Sequence, residues 1–373
     1  MGDVLIMIRI LQVFGIMDCG GAETMIMEIY RNIDRTKIQF DFVVHTSKKG
    51  FFDDEICALG GRIFSVPKFS CKTIIQYRKQ WKKLLSNHTE WKIIHGHVRS
   101  TASIFLSIGR KMGRYTIAHS HSISSGSGFS SFIKNYLQKR IKADYYLACS
   151  VPAGKWLFGD EIVNSENFSV LHNAIKASKY YYDEHERNEI RNELKCGHAF
   201  LVGHVGSFYD VKNHIFLLEV FKEIHKKNPD SKLILVGDGY LKAKIESRVQ
   251  ELHLADKVIF TGVRKDVDKL MMAMDVFVFP SKFEGLGMVV IEAQASGLSS
   301  VISDRVPNEV IITEELVTVQ NLAEPPEQWA NSVLSMNFNN RKSHIDEIIT
   351  NGYDVSETTM WIEEFYSERY YLQ

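Results

Sequence analysis

The chain has 373 residues, 45% of them hydrophobic and 24% charged, with a formal net charge of zero. These are globular values that exclude a fibrous or disordered protein, and the length suits two domains of somewhat under about 200 residues each. Nothing in that balance asks for a nucleic-acid partner, but the charge is unevenly placed: residues 1–172 carry 23 Lys+Arg against 14 Asp+Glu, which leaves the second half acidic. A basic first half suits an anionic acceptor or lipid surface, and equally an attraction between the two halves.

The five cysteines, Cys19, Cys57, Cys71, Cys149 and Cys196, are odd in number, widely spaced and without a C-x-x-C pair. That usage points to a reducing cytoplasm rather than a disulfide framework or a cysteine zinc site. The apolar start "VLIMIRILQVFGIM" contains Arg9 and lacks a small-residue cleavage site, so it reads as a buried strand and not as a signal peptide. No run reaches the roughly 18 uncharged apolar residues of a membrane span.

In chain order the first half alternates strands and helices. "IRILQVFG" is strand-like, "GGAETMIMEIYRNI" helical, "FDFVVHT" a strand, and "KTIIQYRKQWKKLL" an amphipathic helix. "KIIHGH", "RSTASIFLSIGRKMG" and "YTIAHSH" continue as strand, helix and strand. Unbroken apolar strands separated by helices predict a parallel sheet covered on both faces. A polar, tyrosine-rich connection near "SVLHNAIKASKYYYDE" marks the boundary, and the pattern restarts with "FLVGHVGS", "NHIFLLEVFKEIHKKN", "SKLILVGDG", "LKAKIESRVQELH", "KVIFTG", "DVDKLMMAM" and "VFVFPS". The expected organisation is α/β, with two Rossmann-like doubly wound domains over 1–172 and 173–355. A closing helix over 356–373, with Ser356 as its cap, packs back toward the first domain.

Ligands of doubly wound sheets bind beyond the carboxyl ends of the strands, so the loops there are the candidate site. Gly20 and Gly21 open the first helix and could bring backbone N–H groups against an anion, or form a plain tight turn. His95 and His97, like His119 and His121, lie two apart at strand ends and share a face. They could contact substrate, rest as structural histidines or, in principle, hold a metal; with no carboxylate cluster beside them, no metal is expected. In "GHVGSFYDVKNH", Gly206 permits close backbone approach and Lys212 offers a charge to a phosphate, unless it is a solvated surface lysine. In "PSKFEGLGMVVIEAQASG", Glu284 precedes the helix and Glu292 lies within it. The pair can accept from hydroxyls while the N–H groups of Gly285, Leu286 and Gly287 meet phosphate.

Those last residues resemble the E-x7-E signature of glycosyltransferase family 4, the retaining GT-B enzymes, and "HVGSFYDVKNH" resembles their donor-phosphate loop. The order of "GGAET", "IIHGHVRSTAS", "TIAHSHS", "ADYYLACS", "VLHNAI", "VGDG" and "FTGVRKDV" matches as well, over nearly the whole chain, and is most like bacterial exopolysaccharide and capsule members. The resemblance implies two domains facing each other across a cleft. It also implies transfer, with retention and without metal or other cofactor, of a sugar from a nucleotide-sugar, expected to be UDP-linked, to a glycan or polyprenyl-diphosphate-linked acceptor. By the same resemblance Glu292 binds the donor ribose and Glu284 the donor sugar, while Lys212 holds the diphosphate beside Gly206 and Ser207. Gly21 lies against donor phosphate or acceptor, and His119 contacts the sugar with His121 as fallback. The backbone of Val263 and Arg264 meets the base, and Gly20, His97, Arg99 and His121 are acceptor-side candidates.

Many members carry arginine where this chain has Ser207, and Arg99 is the candidate for the missing cation. The D-x-D of "KDVDKL" reads as a helix cap rather than a metal motif. A cytoplasmic protein, peripheral at the inner face of the membrane, is expected, with the basic helix "KTIIQYRKQWKKLL" on anionic lipid or simply solvated on one face. An epimerase or phosphorylase on the same fold, and a non-catalytic sugar-binding subunit, are the alternatives.

Overall fold

The apolar runs of the chain fold as parallel strands buried on both faces. The computed structural model describes residues 7–121, 136–336 and 341–372. The reading of Val4 to Ile6 as the start of the first strand falls outside them. Two compact units emerge, Met1–Ile175 with Asp354–Gln373, and Lys176–Tyr353.

The first unit holds β1 (Ile8–Phe14), β2 (Ile38–Val44), β3 (Arg62–Ser65), β4 (Ile93–Gly96), β5 (Tyr115–Ser120), β6 (Tyr145–Ala148) and β7 (Phe168–Val170). They pair in the order β3-β2-β1-β4-β5-β6-β7, every pair parallel. One face packs on helices Gly21–Asn32 and Val355–Tyr371 through Met25, Ile29, Ile362, Phe365 and Tyr366. The other packs on Ile74–Asn87 and Arg99–Lys111, where Trp81 stacks on Phe105 with ring centroids 5.0 Å apart.

The second unit holds β8 (Phe200–Val205), β9 (Ser231–Val236), β10 (Val258–Gly262), β11 (Val276–Phe279), β12 (Ser300–Ser303) and β13 (Val317–Gln320), in the order β10-β9-β8-β11-β12-β13. These pairs too are all parallel. Strands β3, β7 and β13 carry no apolar run that stands out in the sequence, because their residues are mostly half-buried at sheet edges.

Charge inside the apolar strands is neutralised locally. Arg9, unexpected in a buried strand, pairs with the fully buried Asp41 at 2.6 Å, and Asp41 also accepts from Arg62 and, at 2.7 Å, from Trp91 Nε1. Arg9 is therefore one of several donors that satisfy a buried carboxylate, and replacing Asp41 would take from Arg9 and Arg62 the acceptor they share. The cap of the closing helix is Asp354, whose carboxylate accepts from Ser356 N at 2.8 Å, and not Ser356 itself. An aspartate one residue before the helix reaches the orphan N–H groups better than a serine already inside it.

Glu23 behaves differently. It lies in the first turn of helix Gly21–Asn32 and folds back over Gly20, where an added Cβ would sit 2.2 Å from Glu23 Oε2. Burial, partly offset by its own backbone N–H and reinforced by Asp18, pushes its carboxyl up to about 7 from the ordinary 4.5. A carboxyl raised on folding contributes stability that is complete below its unfolded value and lost as pH rises through its folded one. Glu23→Gln is therefore expected to be close to neutral at pH 4.5, and to stabilise the chain by about 1–3 kcal/mol above pH 8. Thermal melts across that pH range check it, and a gap that does not widen with pH contradicts it.

Candidate functional site

Both sheets reverse strand order at one place, between β1 and β4 in the first unit and between β8 and β11 in the second. At such a switch point adjacent loops run to opposite faces and leave a crevice beyond the carboxyl ends. Most residues singled out in the sequence lie on loops at or next to these two points; Val263 and Arg264 instead follow β10, at the edge of the second sheet.

In the second unit the loop after β8 is held from both sides. Gly206 N donates to Val236 O and Phe208 N to Asp238 O, each at 2.9 Å, so the loops after β8 and β9 lie backbone to backbone. Side chains are excluded there: a Cβ on Gly237 would meet Gly206 O at 2.1 Å. The short turn Asp210–Lys212 ends on Asn213 in the left-handed region (φ 58°), and Asn213 Nδ2 donates to Pro280 O at 3.2 Å. Lys282 N donates to Val211 O at 2.8 Å, which ties the loop after β11 to the loop after β8.

That tie brings Lys212 and Glu284 together, 72 residues apart in sequence, with Nζ to Oε1 at 2.7 Å and side chains only 17% and 11% exposed. Lys212 Nζ also sits 4.6 Å from the Phe279 ring centroid. Beneath it are two buried histidines whose place in the site the sequence reading missed, His204 and His214, with ring centroids 4.7 Å apart. His204 donates from Nδ1 to Val278 O at 2.9 Å, while its Nε2 and both ring nitrogens of His214 have no hydrogen-bond partner among the described residues. Burial above all, helped by Lys212, pushes His214 down to about 4 and His204 well below its usual value. Both are neutral near pH 7, so the lysine's charge faces Glu284. The only sequence signal for them was two histidines flanking a glycine loop.

Gly287 closes the loop at φ 97°, a conformation that favours glycine, and opens helix Met288–Ala295. Leu286 is buried, and Gly285 and Glu292, which lies in the second turn, are half-buried. Ser207 is half-buried in the loop after β8, where Lys212 is the cation beside Glu284. After β10, Val263 is exposed and Arg264 pairs with Asp266 at 2.6 Å and Glu193 at 2.8 Å. The cap expected at Asp266 is not made; its carboxylate turns to the Arg264 guanidinium, a stronger, charge-assisted partner than a helix N–H.

In the first unit Gly20 and Gly21 are exposed, with Glu23 turned onto the helix start beside them. Arg99 opens helix Arg99–Lys111, with its guanidinium 5.2 Å from the Trp156 ring centroid. The four strand-end histidines form one cluster. His95 Nε2 meets His119 Nδ1 at 3.1 Å, and His97 Nδ1 meets His121 Nε2 at 2.8 Å. Two residues outside the sequence candidates complete it: Gln12 of β1 and Tyr366 of the closing helix. His97 Nε2 meets Gln12 Oε1 at 2.9 Å, and His95 Nδ1 meets the Tyr366 hydroxyl at 2.6 Å. One amide in the run "IRILQVFG" was the available signal for Gln12; Tyr366 was hidden among core aromatics of its helix. One ligand nitrogen each from His95, His97 and His119 lies within 4.8 Å of the others, which a metal could in principle use. In this arrangement all four nitrogens of His95 and His97 already have protein partners.

Residues 19–179 match the family described as Glycosyltransferase Family 4, and residues 186–353 match Glycosyl transferases group 1. EpsF of Bacillus subtilis (strain 168), named as a glycosyltransferase, is 33% identical over 87% of this chain and 86% of its own length. The Escherichia coli UDP-Gal:alpha-D-GlcNAc-diphosphoundecaprenol alpha-1,3-galactosyltransferase is 27% identical over 74% and 75%. Among solved structures, Anabaena HepE in complex with UDP superposes with a TM-score of 0.77 at 19% identity, covering 97% of this chain and 100% of that one, a likeness of GT-B fold. With two doubly wound units, matching families over both, and a relative alike over most of both lengths, the chain belongs to the family 4, group 1 glycosyltransferases.

Proposed function

We propose that this glycosyltransferase moves a sugar from a UDP-sugar, with retention and without a metal, to a lipid-diphosphate-linked glycan during assembly of a surface polysaccharide. The observation that carries the reading is the Lys212–Glu284 pair at the switch point of the second sheet. A diphosphate arriving at the loop after β8 competes with Glu284 for the lysine. Lys212 then neutralises the charge that grows on the departing diphosphate, the kind of electrostatic stabilisation that commonly dominates such reactions. The carboxylate of Glu284, released from the lysine, accepts from hydroxyls of the donor sugar.

Glu292 takes the ribose hydroxyls and the backbone of Val263 and Arg264 the base. Gly206, Ser207 and the N–H groups of Gly285 to Gly287 line the phosphates. In the first unit, His119 takes a sugar hydroxyl. His121 stands beside His119 with His97 hydrogen-bonded behind it, and Gly20, Gly21 and Arg99 serve the acceptor. UDP is supported by the HepE complex, and a lipid-diphosphate acceptor by the name of the Escherichia coli relative.

The basic helix Ile74–Asn87 bears on where the reaction takes place. Its apolar face is spent on the core, with Tyr77, Trp81 and Leu85 buried, while Lys72, Arg78, Lys79, Lys82 and Lys83 in and just before it are exposed. Among the described residues no helix is long and apolar enough to cross a membrane. Contact with lipid would then be electrostatic and reversible, a peripheral association at the cytoplasmic face.

Release of UDP from a panel of UDP-sugars and lipid-diphosphate glycans tests the proposal. Lys212→Ala is expected to lower kcat by about 10²–10³-fold, the usual cost of one transition-state donor, and Glu284→Ala comparably. Full activity of Glu284→Ala refutes its assigned role, and activity abolished by EDTA refutes the metal-free one. Flotation with vesicles containing anionic phospholipid is expected to carry the protein at low salt, to fail at about 0.5 M salt, where charges are screened, and to weaken in Lys82→Glu/Lys83→Glu. Flotation indifferent to lipid charge rules out the surface association.

A further inference from the structure

The histidine cluster of the first unit is one hydrogen-bonded chain: His119, His95, Tyr366, Gln12, His97, His121. Gln12 and Tyr366 are wholly buried, as is the bond between His95 and His119, while the bond from His97 to the half-buried His121 is partly buried. At the two ends, His119 Nε2 and His121 Nδ1 are buried with no hydrogen-bond partner among the described residues, although their rings lie 4.0 Å apart. Buried polar atoms of this kind are rare without a purpose.

A neutral imidazole has one N–H and one lone pair, so each member of the chain dictates the tautomer of the next. Gln12 Nε2 donates to the Tyr366 oxygen at 3.1 Å, and the tyrosine proton then goes to His95 Nδ1. His95 is left with its proton on Nε2, gives it to His119 Nδ1, and so makes His119 Nε2 an N–H donor. On the other arm Gln12 Oε1 accepts from His97 Nε2, His97 Nδ1 accepts from His121 Nε2, and His121 Nδ1 is left as an acceptor. Turning the amide over reverses every bond, and the two ends still have opposite character. Burial, reinforced for His95, His97 and His119 by repulsion from neighbouring rings, keeps all four histidines uncharged, with His121 down to about 3.

We infer that Gln12 and Tyr366 are positioning residues that lock these tautomers, so that the His119 and His121 ends present one donor and one acceptor, the complement of a single substrate hydroxyl. A hydroxyl accepts and donates at once, whereas a phosphate oxygen only accepts and an ammonium only donates. The ligand class is therefore a sugar hydroxyl. This rests on the reading of the chain as a sugar transferase, but the tautomer lock is observable without turnover.

The test is long-range 1H–15N correlation NMR on the full chain labelled with [15N]histidine. All four cluster histidines are expected as the Nε2–H form, against His45 and His204, which donate from Nδ1 to Phe14 O and Val278 O and supply the opposite signature. Gln12→Glu offers two acceptors in the same shape, so Tyr366 must donate toward it. His95 and His119 are then expected to switch to Nδ1–H while His97 and His121 stay as they were. Because a buried carboxyl can hold a proton and mimic the amide, Tyr366→Phe is measured alongside; it is expected to unlock His95 and His119 alone.

In turnover, Gln12→Glu is expected to lower kcat about tenfold or more, the cost of facing a hydroxyl with the wrong partner, with the donor KM little changed. Mixed tautomers in the parent chain overturn the proposal, as does a spectrum in which neither substitution alters His95 and His119. So do switched tautomers with undiminished turnover, or one equivalent of zinc held by these rings. If the parent chain transfers no sugar at all, the functional reading fails while the tautomer pattern still decides the lock.

Discussion

A parallel strand covered by helices on both faces has no solvent side along its length, and its chemistry can emerge only where it ends. That constraint organises both units. The same strand order twice over places one switch point in each sheet, and the loops there are the ones that carry glycines, histidines and paired charges. Gly206 and Gly237 let two such loops touch backbone to backbone, and the resulting brace is what brings Lys212 onto Glu284.

Polar groups inside these sheets fall into two kinds. Some are fully satisfied and belong to the architecture: Asp41 with Arg9, Arg62 and Trp91, and Arg341, whose guanidinium donates to the carbonyls of Met271, Met272, Met274 and Ser296. Others are buried with no hydrogen-bond partner among the described residues; some, such as Trp81 Nε1 and Thr359 Oγ1, lie on helices, while His119 Nε2, His121 Nδ1, His204 Nε2 and both nitrogens of His214 group at or beside strand ends. Leaving a buried polar atom unpaired costs about 1–3 kcal/mol, so a ligand that pairs with these grouped nitrogens recovers that cost.

Legibility in the sequence followed the strength of local pattern. The long apolar runs of β1, β8, β9 and β11 and the glycine-punctuated loops after them were readable, because burial on both faces and tight turns each demand particular residue types. The edge strands β3, β7 and β13 were not, since half-buried residues three or four at a time leave no periodic signature. Ser356 and Asp266 were misread as caps for a related reason: capping depends on which orphan N–H or guanidinium lies nearest, a matter of a few ångström that composition does not record. Glu23 was passed over because nothing local shows that its carboxylate turns inward.

The sequence by itself determined the two-unit α/β organisation, the strand-end loops and the identity of nearly all the groups gathered there. Those follow from hydrophobic patterning and turn chemistry, which act over a few residues. Only the tertiary structure decided which of those groups meet. Lys212 reaches Glu284 across 72 residues, and Gln12 reaches Tyr366 across 354, because β1 and the closing helix belong to one core while the loops after β8 and β11 flank one switch point. The state of each histidine, neutral and fixed in tautomer by its neighbour, is a property of the buried chain as a whole and of no single residue within it.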